Sequence, residues 1–439
     1  MPSDTRRRGR LVAAPTAVFP QGVEGFSRAG LLCFSPGISP RDHDRHRNRC
    51  VVSYAGRIHR LLRVLSLRGG TQDSLRDPGR VHDVTFRTHS RRAAVLVFPV
   101  LLLSLLLLLA GCRSASPERI SDTRFLLGTA VTITIHQHGI SRNVFQPAFD
   151  RTEEIQNLMS LNEAEYDDTE VLRINRRAGL EPVAVSEDTL KVIREGLRYG
   201  ELTGGAFDIT VAPLIRLWGF GTGEERVPAA EEIEAVLPAV DYSRVEIHAG
   251  TGSAVYLPSP EMGIDVGGIA KGYAADEAAR VLREAGVRNA ILDFGGDIVT
   301  IGGRPDGSPW RIGIQHPSGE RNRFVGILSS RDESVVSSGA YERFFHEDGV
   351  RYHHIFDPST GYPSDSGLTS VTAIGADAMK TDVLSTAIFV MGLEAGLALL
   401  DSLPGYEGIL ATEDMRVFVT AGIADRFEVP GDEYELVIH

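Results

Sequence analysis

The chain has 439 residues, 42% of them hydrophobic, and a formal charge of −12. That is enough apolar content for one large domain or two smaller ones. Residues 1–92 carry 18 arginines, no lysine and 7 acidic residues, which leaves 28 basic against 51 acidic residues afterwards; so acidic a body repels a nucleic-acid backbone and excludes nucleic acid as its partner.

In chain order, residues 1–90 mix Gly, Pro, Ser and His with scattered apolar residues and show no periodicity. They read as sequence upstream of the true start codon, or else as a disordered basic extension. Arg91-Arg92 precede the apolar run from Ala93 to Ala110, then Gly111 and Cys112. A charged start, an apolar middle and small residues at the cut describe a secretory signal peptide over 91–111. The run is also about long enough to span a bilayer as a plain anchor. Leu109-Ala110-Gly111-Cys112 resembles a bacterial lipobox, which implies a lipid on Cys112. Either reading puts the body outside the cytoplasm, on the periplasmic side, tethered to a membrane. Cys33 and Cys50 lie in the leader and none follows Cys112, so the body has no disulfide, thiolate metal site or cysteine nucleophile.

Residues 112–122 are a polar tether, and 123–439 form the folded domain. Alternation predicts a strand over 123–136, with Val131, Ile133 and Ile135 on one face. Helical spacing predicts a helix over 146–160 and another over 187–203, ended by Gly204-Gly205; the acidic stretch up to Ala178-Gly179 is left without an element. A short charged helix ends near Leu237, and Val245–His248 and Ala254–Leu257 pair as a hairpin. Then come strand 262–266, helix 271–285, strands 289–293, 310–315, 323–328, 334–337, 350–356 and 368–374, and helix 377–400. Two or three more strands fill 408–438. Strands and helices mix without strict alternation, so the fold class is α+β, with mixed sheets packed against helices.

Tyr352-His-His-Ile-Phe-Asp-Pro-Ser-Thr-Gly-Tyr-Pro363 places two histidines at the end of a strand, just before a turn. An imidazole leaving a strand for a glycine-containing loop is a common way to present a base to a ligand, although a His-His pair is also a common structural element. In Asp265-Val-Gly-Gly-Ile-Ala-Lys-Gly272, an apolar strand ends in an acid and glycines lead into a helix start, which suits a pyrophosphate; Lys271 adds a mobile charge. The motif also reads as a plain turn. Asp382 and Thr386, spaced i, i+4, put two oxygens on one helix face, as Mg²⁺ beside substrate phosphates requires; an early-helix Asp also answers the helix dipole. Gly204–Phe220 sets Asp208 in an apolar setting and ends in Trp218 and Phe220, which serve either as a stacking platform or as core. Ser337–Arg343 supplies hydroxyls and a guanidinium able to reach phosphate oxygens, or forms a solvated turn.

Taken together, Leu127-Gly-Thr129, Gly205–Asp208, Ile264–Tyr273, Phe294-Gly-Gly-Asp297, Ser338–Arg343, His353–Pro358 with Thr360–Pro363, and Asp382–Thr386 resemble the ApbE family. These are flavin transferases that use FAD to attach FMN covalently to a threonine of another protein. The resemblance implies an ApbE-like, T-fold-related architecture and FAD as substrate, with Ala206, Phe207, Asp208, Asp265, Lys271, Ser338, Tyr341 and Ile355 contacting it. It further implies Mg²⁺ held by Asp382, Thr386 and the carbonyl of Ala270, and His354 as the catalytic base. Tyr166 stands nearest to the family's isoalloxazine contact, and Leu127 replaces the family's usual methionine. The partner it implies is an acceptor threonine in a membrane redox complex, such as a sodium-pumping quinone reductase. The alternatives are an FAD pyrophosphatase, in which water replaces the threonine, and a non-catalytic FAD-binding lipoprotein.

Overall fold

The structure, a computed structural model, describes residues 118–162, 165–249, 253–318 and 323–439. The basic leader, the signal peptide and Cys112 lie outside the described residues. Among the described residues, no helix is long and apolar enough to cross a membrane.

The single strand expected over 123–136 is a hairpin of β1 (Arg119–Leu126) and β2 (Thr129–His136). Leu127 and Gly128 turn the chain with φ of 54° and 69°. Positive φ at both central positions matches the twist of antiparallel strands, so two residues suffice for the reversal. Helix α1 (Phe145–Met159) follows, burying Phe149, Ile155 and Met159. The acidic stretch after it holds a short helix, α2 (Glu170–Arg176), whose N-cap Thr169 accepts from the backbone N–H of Leu172. Next come β3 (Val183–Ala184), α3 (Glu187–Leu202), α4 (Ala212–Trp218), α5 (Ala230–Val236), β4 (Glu246–Ala249) and β5 (Ser253–Tyr256). β3, β5 and β4 form a small antiparallel sheet.

Residues 262–266 do not form the expected strand. The side chain of Asn175 takes the place of a strand neighbour: its amide donates to Ile264 O at 2.8 Å and its oxygen accepts from Ile264 N at 2.7 Å. Helix α6 (Gly267–Glu284) therefore starts four residues before the expected 271. Asp265 accepts from Gly267 N at 2.6 Å and satisfies one of the free N–H groups of that end.

β6 (Ala290–Phe294), β7 (Asp297–Ile301), β8 (Trp310–Gln315), β9 (Phe324–Ser330), β10 (Ser334–Gly339), β11 (Phe344–Glu347), β12 (Val350–His353) and β13 (Leu368–Gly375) follow. The expected helix over 377–400 is two helices, α7 (Ala378–Met391) and α8 (Leu393–Asp401), broken at Gly392 with φ 82°. β14 (Glu407–Thr412), β15 (Arg416–Val419), β16 (Phe427–Glu428) and β17 (Glu435–Ile438) complete the chain.

The nine-stranded sheet runs β1-β2-β6-β7-β10-β13-β14-β15-β17, antiparallel except for the parallel pair β15–β17. α6 packs on β6 and β7, and α7 on β10 and β13. This face holds the main core, with Val131, Val299, Val371 and Ala373. Alternate residues such as Val335 and Ile374 point to the opposite face, where Ile312, Ile314 and Leu328 of the β16-β9-β8 sheet cover them. The fold is α+β in three layers.

Candidate active site

Two helices set the frame. α6 and α7 lie antiparallel in a one-turn register, because Asp276 accepts from Ala378 N and Met379 N at 2.9 Å each and Asp382 accepts from Gly272 N at 3.0 Å. One turn further, a Cβ on Gly268 would lie 3.8 Å from Thr386 Oγ1. The helices approach this closely because Gly272 has no side chain; a Cβ there would sit 2.2 Å from the carbonyl oxygen of Ala378. Asp382 and Thr386 thus face the first turns of α6, the turns that carry Ala270 and Lys271. Their i, i+4 spacing puts both side chains on the face of α7 that meets α6.

Lys271 forms an ion pair with Asp297, whose side chain is 3% exposed. Asp297 opens β7 just after Gly295 and Gly296, which turn the chain with φ of 71° and 102°. A Cβ on Gly295 would lie 2.1 Å from Thr129 Oγ1, so the Leu-Gly-Thr and Phe-Gly-Gly-Asp motifs touch. Burial works against the charge of Lys271, but Asp297 and Asp382 outweigh it and raise its pKa. Burial raises both carboxyls, and Lys271 offsets it only in part, so both stay above the usual carboxylate range. Two buried carboxyls share one ammonium, which leaves a surplus of acidic groups over cations at the N-terminal end of α6.

That surplus tests the expected cation. Asp382 carboxylate, Thr386 hydroxyl and Ala270 carbonyl are all oxygen donors, the set a hard divalent ion takes beside phosphate. Among the described residues no group of three His, Cys, Asp or Glu side chains is placed for a metal. The residues therefore fit Mg²⁺ completed by substrate oxygens, and do not fit an all-protein transition-metal site.

Ser338, near the end of β10, lies 2.8 Å from Ser385 Oγ and 3.2 Å from Thr386 Oγ1. The Phe207 ring reaches 3.2 Å from the position a Cβ on Gly268 would occupy. Ala206 beside it is half-buried. Phe207, Gly268, Thr386 and Ser338 therefore converge. Asp208 is hydrogen-bonded within its own segment and to Tyr242. Its Oδ1 accepts from Thr210 N at 2.7 Å and Thr210 Oγ1 at 2.6 Å, and its Oδ2 accepts from Tyr242 N at 2.9 Å. It ties its own loop together, while burial raises its pKa. Asp265 is likewise raised by burial, with Arg343 and Arg216 opposing.

The two histidines divide their roles. His353 is buried, with Nε2 donating to Ser364 O at 3.0 Å and Nδ1 accepting from Ile355 N at 3.3 Å, so both ring nitrogens are used. His354 is half-buried, and its Nδ1 meets Arg343 O at 3.2 Å. A carbonyl only accepts, so Nδ1 carries the hydrogen and Nε2 keeps its lone pair. Burial, helped by the charge of Arg343, lowers this imidazole to about 3. It is neutral across the physiological range, lower than the near-neutral titration expected of a free imidazole. Ile355 next to it is buried, and burial raises the pKa of Tyr341, whose ring folds over Gly339.

Trp218 is core. It is fully buried, its Nε1 donates to Gly361 O at 3.0 Å, and Phe345, Tyr352 and Phe356 pack around it. Phe220 packs against Phe345 and Phe356. This cluster props the β11–β12 hairpin, which ends at His353, one residue before His354. Tyr166 donates no contact to these groups; its hydroxyl accepts from Gln156, whose amide oxygen accepts from Leu127 N. Asp297, Gln156 and the pairing of Gly272 with Asp382 had no assigned role in the sequence. The glycine pair before Asp297 was the available signal, since it forces a tight reversal that aims the next side chain.

A family model described as "ApbE family" matches residues 127–410. The FAD:protein FMN transferase of Vibrio cholerae serotype O1 is 37% identical over 307 residues, covering 68% of this chain and 89% of that protein. The protein of the same name from Treponema pallidum is 36% identical over 278 residues, 61% of this chain and 77% of its own length. Among solved structures, the ApbE protein of Thermotoga maritima matches with a TM-score of 0.63 at 36% identity, covering 68% of this chain and 96% of that one. The flavin transferase ApbE from Vibrio cholerae matches with a TM-score of 0.62 at 33% identity, covering 71% and 99%.

Proposed function

The chain belongs to the ApbE family, and on that premise we propose that it is an FAD:protein FMN transferase, releasing AMP and using Mg²⁺. The observation that carries this reading is His354. Its Nδ1 is committed to the Arg343 carbonyl, which leaves the Nε2 lone pair available, and the charge of Lys271 is felt at the ring. A storage protein has no use for a base held in one tautomer within the field of a cation.

In this reading the hydroxyl oxygen of an acceptor threonine attacks the FMN phosphorus. The bond from that phosphorus to the bridging oxygen breaks, and its electron pair leaves with AMP. The hydroxyl proton passes to Nε2 of His354 and then to solvent. Lys271, oriented by Asp297, neutralises phosphoryl oxygens. Phe207 and Ser338 line the approach at the first turn of α6. Asp382, Thr386 and the Ala270 carbonyl would hold Mg²⁺, which supplies charge neutralisation on the pyrophosphate. A lipid on Cys112 would place the body at the membrane face where an acceptor subunit of a redox complex lies. The lipobox-like run supports that part of the reading.

The test is to incubate the purified chain with FAD and Mg²⁺, with and without a threonine-bearing acceptor peptide, and to record intact masses. A peptide gain equal to FMN, with AMP released and both lost on adding EDTA, is the expected result. Free FMN and AMP with no adduct on two acceptor sequences would replace it with the pyrophosphatase, and unbroken FAD throughout with the binding protein. Mass analysis of the N-terminal peptide of membrane-extracted protein tests the lipid on Cys112.

A further inference from the structure

Resting on the transferase reading, we infer that Arg343 is a further catalytic residue, its guanidinium gripping the non-bridging oxygens of the phosphoryl group under attack. The hairpin register carries this. Phe344 pairs with His353 across β11–β12, so the next pair outward is Arg343 and His354. His354 N donates to Arg343 O at 3.1 Å, and Nδ1 of the same ring meets that oxygen at 3.2 Å. Residues directly opposed across an antiparallel pair share one face, with Cβ atoms about 4.5–5.5 Å apart. Extended by one residue beyond the last pair, that register turns the guanidinium and the imidazole to the same side, and the charge of Arg343 is felt at the ring.

The side chain is available. Arg343 is exposed, and among the described residues its guanidinium makes no hydrogen bond or ion pair. Other arginines of this acidic body are engaged: Arg151 with Asp188 and Glu277, Arg226 with Glu232, Arg426 with Glu333. The adjacent Glu342 does not pair with it. Its charge is felt at His354, Lys271, Glu342 and Asp265, so it stands among the groups that handle the pyrophosphate. A planar fork of donors whose charge is felt at a second cation suits an anion with several oxygens in one plane, which a phosphoryl group becomes as it transfers. Arg343 keeps its charge throughout and the proton still goes to His354, so the balance of the step is unchanged.

The experiment uses the full chain with FAD, Mg²⁺ and an acceptor peptide. Arg343→Ala is expected to lower kcat by about 100- to 1,000-fold, the loss typical of removing one donor to a developing oxyanion. FAD affinity, read from flavin fluorescence, should stay within about threefold, because the interaction strengthens only as charge develops. Added guanidinium ion should restore part of the rate to Arg343→Ala and none to the wild type, an effect that a structural role would not produce. Arg343→Lys should keep most of the defect, because a point charge cannot make two parallel bonds. An exposed side chain predicts a melting temperature within about 2 °C of wild type. If Arg343→Ala melts lower, Arg343→Gln is judged by the same kcat and rescue criteria. A kcat within about threefold of wild type in these variants, or a loss confined to FAD affinity without rescue, overturns the inference alone. A wild type that transfers no FMN overturns the transferase reading, and this inference with it.

Discussion

Gly272 donates its backbone N–H to Asp382 at 3.0 Å, and it can do so because it is glycine. The contact needs the backbones of α6 and α7 almost touching, and the space between Gly272 and the Ala378 carbonyl has no room for a methyl group. One residue therefore sets the helix spacing, orients the buried carboxylate and places Thr386 opposite Gly268. Packing and chemistry meet in the same atom pair.

Gly272→Ala should be costly. Its Cβ would lie 2.2 Å from a backbone oxygen, which cannot rotate away. Forced overpacking of this kind costs about 1–3 kcal/mol. Urea unfolding is expected to show that loss, and the transfer rate should fall as Asp382 and Thr386 move off α6. Wild-type stability in Gly272→Ala would mean that the helices spread freely, and the frame would lose its explanation.

Asp382→Asn should separate stability from function. The carboxylate is 3% exposed, shares Lys271 with Asp297, and is pushed up by burial. An asparagine oxygen can still accept from Gly272 N while shedding the surplus charge. Without Mg²⁺ the variant should melt at or above the wild-type temperature, since removing an under-compensated buried charge is neutral or stabilising. With FAD present, added Mg²⁺ should raise the wild-type melting temperature and leave the variant unmoved. A metal-free melt lower by more than about 5 °C would contradict this account.

Local chemistry was legible in the chain and long-range placement was not. The i, i+4 pair Asp382/Thr386 and the strand-end position of His354 were visible because helix and strand periodicities fix which side chains share a face. Trp218 could not be assigned to core or ligand from sequence, because an indole suits both; Phe345, Tyr352 and Phe356 decide it, and they come from 127–138 positions away. Strand 262–266 was expected from its apolar run, yet Asn175 takes the partner's place through a side chain that no spacing rule reveals. The bonds that Asp208 accepts from Thr210 and Tyr242 were equally invisible, since Tyr242 lies far along the chain. Gly392 broke a helix that apolar periodicity alone carried through.

His354 should not titrate where histidines usually do. A free imidazole titrates near 6.5, whereas this one is held at about 3. Between those values the unfolded chain binds a proton that the native state refuses. Stability is therefore complete above pH 6.5 and declines as pH falls through that window. Selective labelling of histidine rings should show the His354 signals constant from pH 8 to about 5. A midpoint between 6 and 7 for His354 would undo the assignment of a base that is neutral at rest.

Asp297→Asn tests whether Lys271 needs its counter-ion to stay in place. Lys271 is partly exposed, and Asp297 is buried at the entry to β7, where Gly295 and Gly296 turn the chain. Losing the carboxylate removes the strongest raising influence on the Lys271 charge. The ammonium is then free to swing to Asp382 and compete with the cation there. Breaking a fully buried pair costs about 3–5 kcal/mol, and solvent reaching Lys271 brings the expected loss nearer 1–2 kcal/mol. The sharper readout is Mg²⁺ dependence: Asp297→Asn should require several times more Mg²⁺ for half-maximal transfer, because Lys271 now occupies the acidic site. Asp297→Glu, which keeps the charge, should recover part of that requirement. An unchanged Mg²⁺ requirement alongside reduced stability would reduce Asp297 to a structural anchor and leave Lys271 oriented by the pyrophosphate alone.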